Sequence, residues 1–434
     1  MVIISDQRPT YNLRAVTRET GLSPETLRAW ERRYGIVSPQ RTAGGHRLYT
    51  LRDIRMLKWL VAQQKQGLSI SRAVELWRSL QESGQDPLAA AGIEGLTQTG
   101  TSNLDELRQV WIAACLNFNE QAAEQILSEA FAVAVPELVV VEILQRGVAE
   151  IGQLWYQGQA SVQQEHFATS LATRRLHSLL AAAPPVSRSG RILAACPPGE
   201  EHEFVLLLVT FLLRRHGWEM VYLGANVPLM KLEATLQSTS PILVFSLAQT
   251  LPAAASLREM AHLVNRRGIP LAFGGRIFHE LPDLIGRIPG YFLGDDIPKV
   301  PKRLDEINNK NEPLPTTEPL TDEYRLALEY LEAKQHAIEA VVTEEIKDWG
   351  LPSEALDQAN QAFPSHLKAA LALGDISSLD FSIDWVGGLL ENYGMPQESL
   401  KQYLKVYHDA IQQQLDVKGE LITEALERFQ ASEN

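Results

Sequence analysis

Four short apolar runs between residues 191 and 275 constrain the fold more than anything else in the chain. They are Arg191-Ile192-Leu193-Ala194-Ala195-Cys196, the run within Trp218 to Pro228, Ile242-Leu243-Val244-Phe245-Ser246-Leu247, and Leu271-Ala272-Phe273-Gly274-Gly275. Each ends in small or turn residues and alternates with helical spacing, the pattern of a parallel sheet with helices on both faces. The first run passes into Pro197-Pro198-Gly199-Glu200-Glu201-His202-Glu203-Phe204, ahead of a helix over Val205 to Leu213. Loops at the carboxyl ends of parallel strands are where open sheets bind ligands, so His202 is a candidate contact. Glu200, two residues earlier, is placed to take the second ring proton of a metal-bound imidazole. A lone histidine on such a loop is more often a solvated or capping residue, and its neighbourhood decides between the two.

That neighbourhood resembles the cobalamin-binding domain family, whose fingerprint is an acidic residue two before a His, a Ser after the third strand and a Gly-Gly pair. The resemblance implies that His202 is the lower axial ligand of cobalt and Glu200 its partner. Ser246 and Gly274-Gly275 would line the slot for the displaced nucleotide tail. The family has a Gly three residues after the His; here it is Val205, a branched side chain where the tail or the corrin has to pass.

A chain of 434 residues has room for two to four domains. Cys115 and Cys196 both sit in apolar patterns and read as buried small hydrophobes, not as a disulfide or metal set. No apolar run reaches the roughly 18 residues that span a bilayer, and no basic-then-apolar leader opens the chain; no membrane partner and a cytoplasmic location are expected. Charge is unevenly divided. Residues 1–80 hold 14 Lys and Arg against 6 Asp and Glu, the remainder 26 against 47, a head of +8 on a body of −21. A polyanion partner is expected for the head alone.

Within that head, residues 10–20 read as a short helix with Leu13 and Val16 inward. Ser23-Pro24 then caps and starts a second helix on which Leu27, Trp30 and Tyr34 share a face. Short extended arms flank a Gly44-Gly45 turn, and helices follow over Asp53 to Gln66 and Ser69 to Leu80. The markers Thr26-Leu27-Arg28-x-Trp30-Glu31-Arg32-Arg33-Tyr34-Gly35, Pro39, Arg41 and Gly45-His46-Arg47-Leu48-Tyr49 resemble the MerR-type winged helix-turn-helix family. By this resemblance Thr26, Arg28 and Arg32 touch bases or phosphates of double-stranded operator DNA. Arg41, His46, Arg47 and Tyr49 of the wing bind backbone phosphate, with Tyr49 divided between that role and the core.

Residues 81–103 read as a flexible linker and 104–186 as a helical bundle with helices from Leu104, Asn119, Pro136 and Val162. The spacing Trp155-x9-Glu165-His166 puts an indole at one helix end and a Glu-His pair at the next helix start. Read by itself, the pair is as easily a first-turn Glu with a half-buried His. In this order, head, bundle, Trp, Glu-His and cobalamin domain resemble the light-responsive, adenosylcobalamin-dependent MerR-type repressors of carotenoid synthesis. The resemblance implies that Trp155, Glu165 and His166 cover the adenosyl face of cobalt. It also implies that vitamin binding assembles a homo-oligomer, a dimer or tetramer, which light dismantles. Light-sensing members carry a His after the Trp that captures cobalt in the photoproduct; here the residue is Tyr156.

The α/β domain is expected over 187–306, a linker over 307–319 and an all-helical domain over 320–434, which either holds a second, linear tetrapyrrole or extends the oligomer interface. The fold class is therefore multidomain: winged helix-turn-helix, four-helix bundle, doubly wound Rossmann-like α/β domain and all-α C-terminal domain. The expected function is a non-enzymatic transcription regulator controlled by cobalamin. A regulator whose degenerate pocket works only through another tetrapyrrole or protein contacts, and a cobalamin-dependent enzyme component, are the competing readings.

Overall fold

The computed structural model describes residues 11–37, 39–41, 47–65, 68–82, 101–310, 313–347, 353–381, 383 and 397–432. It divides into two compact units, residues 1–151 and 152–434.

The first unit opens with β1 (Tyr11–Asn12), α1 (Leu13–Thr20) and α2 (Pro24–Tyr34). Ser23 Oγ accepts from the Thr26 amide at 3.1 Å and Pro24 fills the first helical position, so the start of α2 is fixed by its own sequence. Its end is fixed by Gly35 at φ 60°, whose amide donates to Glu31 O at 3.1 Å. β2 (Gln40–Arg41) and β3 (Arg47–Tyr49) form an antiparallel wing, with β1 on the other side of β3. α3 (Leu51–Lys65) and α4 (Ile70–Glu82) close a core of Val16, Leu27, Trp30, Tyr49, Leu57, Leu60, Val74 and Trp77. The predicted Gly44-Gly45 turn lies outside the described residues, as does most of the predicted linker; α5 (Thr101–Leu116) begins inside that linker.

α6 (Glu120–Val133) packs on α5, and one continuous helix then runs from Pro136 to Tyr156. Its middle, Val140–Gln145, is π-helical. Here Glu142, 7% exposed, pairs with Arg146 at 2.6 Å, and Trp111 lies so close to Gly147 that a Cβ there would meet the indole at 2.7 Å.

In the second unit, α7 (Val162–Ala181) begins with a reciprocal cap between Ser161 and Gln164. The sheet follows: β4 (Arg191–Ala195), β5 (Glu219–Gly224), β6 (Leu243–Leu247), β7 (Leu271–Gly274) and β8 (Tyr291–Phe292), all parallel, in the order β5-β4-β6-β7-β8. Alternate residues serve opposite cores. Ile192, Ala194, Phe245 and Ala272 meet α8 (Phe204–Arg215) and α9 (Val300–Lys310) on one face. Leu193, Ala195, Val244 and Phe273 meet α10 (Leu232–Thr239) and α11 (Leu251–Asn265) on the other. The chain leaves β4 in opposite directions to β5 and, later, to β6, so the carboxyl ends of β4 and β6 border the switch point where such sheets open a crevice.

The C-terminal helices are Asp322–Ile346, Ser353–Leu373, Gln397–Leu415 and Glu420–Ser432. Read from sequence as a domain apart, they share one continuous core with the α11 side of the sheet, with Phe363, Leu367, Leu371, Tyr403 and Tyr407 in the same apolar mass as Leu257 and Met260. Arg258 of α11, 8% exposed, donates to Ala372 O at 2.5 Å and Glu318 O at 3.3 Å, a cation set on the last turn of the Ser353–Leu373 helix. The predicted linker also starts later than its composition suggested, because α9 runs through Lys310. His336, on the first of these helices, is fully exposed. His408 keeps 13% of its side chain in solvent between Asp409 and Glu427, and burial lowers the pKa of His366 to about 4.

Candidate functional site

On α2 the charges face outward. Leu27 and Trp30 are buried while Arg28, Arg32 and Arg33 are exposed. Thr26 is half-buried, with its hydroxyl 3.0 Å from Ser23 Oγ. Two of the wing residues bond to Glu31 of α2. Tyr49 is fully buried, and its hydroxyl donates to Glu31 Oε1 at 2.5 Å; burial, then this hydrogen bond, raises its pKa. It is a core residue whose phenol is spent on Glu31. Arg47 is 29% exposed and donates from Nε to Glu31 Oε2 at 3.2 Å, which pins the wing to α2. Arg41 lies on β2, and His46 lies outside the described residues.

At the carboxyl end of the sheet the loop after β4 is held from three sides. Glu200 is fully buried. Its Oε1 accepts from the His202 amide at 2.9 Å and faces the ring Nδ1 at 2.7 Å, while its Oε2 accepts from the Gln249 amide beyond β6 at 2.6 Å. A carboxylate only accepts, so the ring proton belongs on Nδ1 and Nε2 is left outward on a side chain that is 69% exposed. The hydrogen bond to Glu200 raises the pKa of His202 against the opposing effect of burial. The Arg276 charge opposes the rise and that of Glu165 of α7 adds to it.

Asn226, at φ 48°, stitches the β4 loop to the β5 loop. Its Oδ1 accepts from Gly199 N at 2.9 Å, its Nδ2 donates to Glu201 at 2.7 Å, and its amide donates to Glu200 O at 2.9 Å. Glu203 accepts from the Tyr222 hydroxyl at 2.8 Å and the Ala225 amide at 3.1 Å. Beyond β7, Gly275 at φ 124° lies against Ala248, whose carbonyl oxygen would sit 1.9 Å from any Cβ, whereas Gly274 has no atom within 4 Å of that position. Ser246, in β6, is fully buried and its hydroxyl has no partner. Val205 is half-buried in the first turn of α8 and packs against the core on that side of the sheet.

The second cluster is on the helices. Trp155 and Tyr156 are 42% and 53% exposed. Glu165 Oε2 lies 3.0 Å from His166 Nδ1 and its Oε1 accepts from Thr169 at 2.7 Å; the His166 side chain is 76% exposed. Gln249, Asn226 and Arg276 were not legible as site residues. The strand pattern marked their loops, but all three act through backbone amides, which carry no sequence signal.

No helix among the described residues is long and apolar enough to cross a membrane. Residues 11–80 match the MerR HTH family regulatory proteins and residues 107–180 a B12 binding domain. The chain is 32% identical over 272 residues to the HTH-type transcriptional repressor CarH of Myxococcus xanthus, covering 61% of this chain and 89% of that one. It is 29% identical to the repressor CarA of the same organism, over 54% of this chain and 75% of the relative. Among solved structures, a Methanosarcina barkeri monomethylamine corrinoid protein overlaps 48% of this chain and 100% of its own at 20% identity and a TM-score of 0.39, too loose to argue from. The comparisons lend no support to a second tetrapyrrole in 320–434. The chain belongs to the family of MerR-type helix-turn-helix regulators with a B12-binding domain that includes these repressors, and it is a DNA-binding transcription regulator controlled by cobalamin.

Proposed function

We propose that this protein is a light-responsive repressor whose bound form is adenosylcobalamin, with His202 as the lower axial ligand of cobalt. The observation that carries the reading is the Glu200–His202 pair at the switch point, an exposed imidazole whose Nδ1 is engaged by a buried carboxylate, leaving Nε2 as the atom available to a ligand. The surroundings fit the vitamin. The orphaned Ser246 hydroxyl and the open space at Gly274 suit a polar tail, and Val205 is drawn to the core. Trp155 and His166 are exposed and Glu165 is half-buried in the second unit, and the influence of Glu165 on His202 supports their covering the opposite face. When bound, adenosylcobalamin supplies a cobalt–carbon bond that light breaks.

What the chain does is hold and read out. Contacts to both faces favour an assembled oligomer over separated chains by their difference in affinity for the two states. Assembly brings several basic heads to one operator, where Arg28 and Arg32 of α2 meet the major groove, and pairing raises avidity without new contacts. Tyr156, in the position after Trp155, is a poor cobalt ligand, so the lit state is not locked by a second histidine at that position. The test is an absorption spectrum with adenosylcobalamin, dark and after green light, alongside size-exclusion chromatography and operator gel shifts. A histidine-ligated spectrum whose oligomer and DNA complex dissolve in light is the expected result. Vitamin eluting apart from the protein would remove the cobalamin reading, and an oligomer indifferent to light would remove the photoreceptor part alone.

A further inference from the structure

The carboxyl end of the sheet is rich in carboxylates, and those of its first loop are all engaged. Glu200 holds His202 and the Gln249 amide, Glu201 holds Asn226, and Glu203 holds Tyr222 and the Ala225 amide. The charge of Glu165, on α7, also favours the protonated form of this histidine. Arg276 stands among them, exposed, directly after Gly274-Gly275. Its position is fixed through the main chain: its amide donates to Gln249 Oε1 at 3.0 Å, and the Gln249 amide donates to the carboxylate that orients His202. Its guanidinium has no hydrogen-bond or ion-pair partner among the described residues. Ser246 supplies a second unused polar group at this end of the sheet, fully buried.

This inference rests on the cobalamin reading. The nucleotide tail of cobalamin carries one formal negative charge, on the phosphodiester that joins the corrin side chain to the ribose. An anion entering a slot beside Glu200, whose Oε2 reaches the β6 loop, is repelled unless a cation meets it. We propose that Arg276 binds the tail phosphodiester, so that the slot selects cobalamin over corrinoids that lack the nucleotide. A guanidinium suits the task, because its planar fork matches two phosphate oxygens at once and its charge does not depend on pH in the working range.

The test compares adenosylcobalamin with adenosylcobinamide, which keeps the cobalt and corrin and lacks the phosphate and nucleotide, each bound in the dark to the full-length protein and to Arg276→Gln. Equilibrium dialysis gives the affinities. Loss of one charge-assisted contact is expected to weaken cobalamin about 10-fold, leave cobinamide unchanged and be partly restored by Arg276→Lys. An equal loss for both corrinoids, or none for cobalamin, overturns the phosphate contact while the cobalamin reading stands. Failure of the unaltered protein to bind either corrinoid removes the reading and this inference together.

Discussion

Glu200 Oε1 grips His202 twice, accepting from its backbone amide at 2.9 Å and facing its ring Nδ1 at 2.7 Å. One buried oxygen thereby fixes both the position of the histidine and its tautomer. The other oxygen, on the Gln249 amide, ties this arrangement to the neighbouring strand end.

Replacing Glu200 by Gln tests that arrangement. An amide has one acceptor oxygen and an NH2, so it must turn a donor either toward the His202 N–H groups or toward the Gln249 amide. Cobalamin affinity is expected to fall about 10–100-fold, the usual effect of losing a ligand's carboxylate partner. His202→Ala is expected to remove ligation altogether, read as loss of the histidine-ligated absorption spectrum. Wild-type affinity in Glu200→Gln would mean that the pair does not orient a ligand.

On the DNA side, Tyr49 and Arg32 should separate cleanly. Tyr49→Phe leaves Glu31 short of a hydrogen bond in a nearly buried place and is expected to lower stability by about 1–2 kcal/mol in urea unfolding. The salt dependence of operator binding should not change. Arg32→Ala is expected to do the reverse, leaving stability unaltered while the slope of log affinity against log salt shrinks by about 1. A reduced slope in Tyr49→Phe would restore the tyrosine to the phosphate interface.

Acid sensitivity should centre on His366. Its folded-state pKa is lowered to about 4 by burial, below that of the unfolded chain, so the unfolded state takes up the proton first. The contribution is intact above the ordinary histidine value and is lost as pH falls toward 4. Unfolding free energy is expected to drop by about 2 kcal/mol between about pH 7.5 and about pH 5 from this group, and His366→Gln should remove that part of the slope.

Regular elements were legible because their signals are local. Ser23-Pro24 and Gly35 bound α2 in the sequence as they do in space, and the apolar runs at 191–196 and 242–247 fell on β4 and β6. Glu200 and His202 were legible because their pairing spans two residues. Tyr49 was ambiguous because a hairpin aromatic faces core or solvent according to a partner, Glu31, that lies 18 residues away. The union of the C-terminal helices with the sheet escaped composition for the same reason. Proline-rich residues 313–319 read as a tether, yet Arg258 reaches a backbone carbonyl there and another on the helix beyond.

The paired glycines beyond β7 distinguish space the backbone needs from space a ligand needs. Gly275 stands at φ 124° with the Ala248 carbonyl oxygen 1.9 Å from where a Cβ would be, so Gly275→Ala must push two strand-end loops apart. A loss of about 2–4 kcal/mol is expected, combining backbone strain with displaced packing. Gly274 has no atom within 4 Å of its own Cβ position and an ordinary backbone, so Gly274→Ala should unfold at nearly the same urea concentration as the parent. Its effect is expected on the vitamin instead, as a methyl group in the slot below Ser246 weakens adenosylcobalamin by an amount that dialysis resolves. If Gly274→Ala keeps both stability and affinity, the tail does not pass beside β7, and the slot has to be sought between β4 and β5.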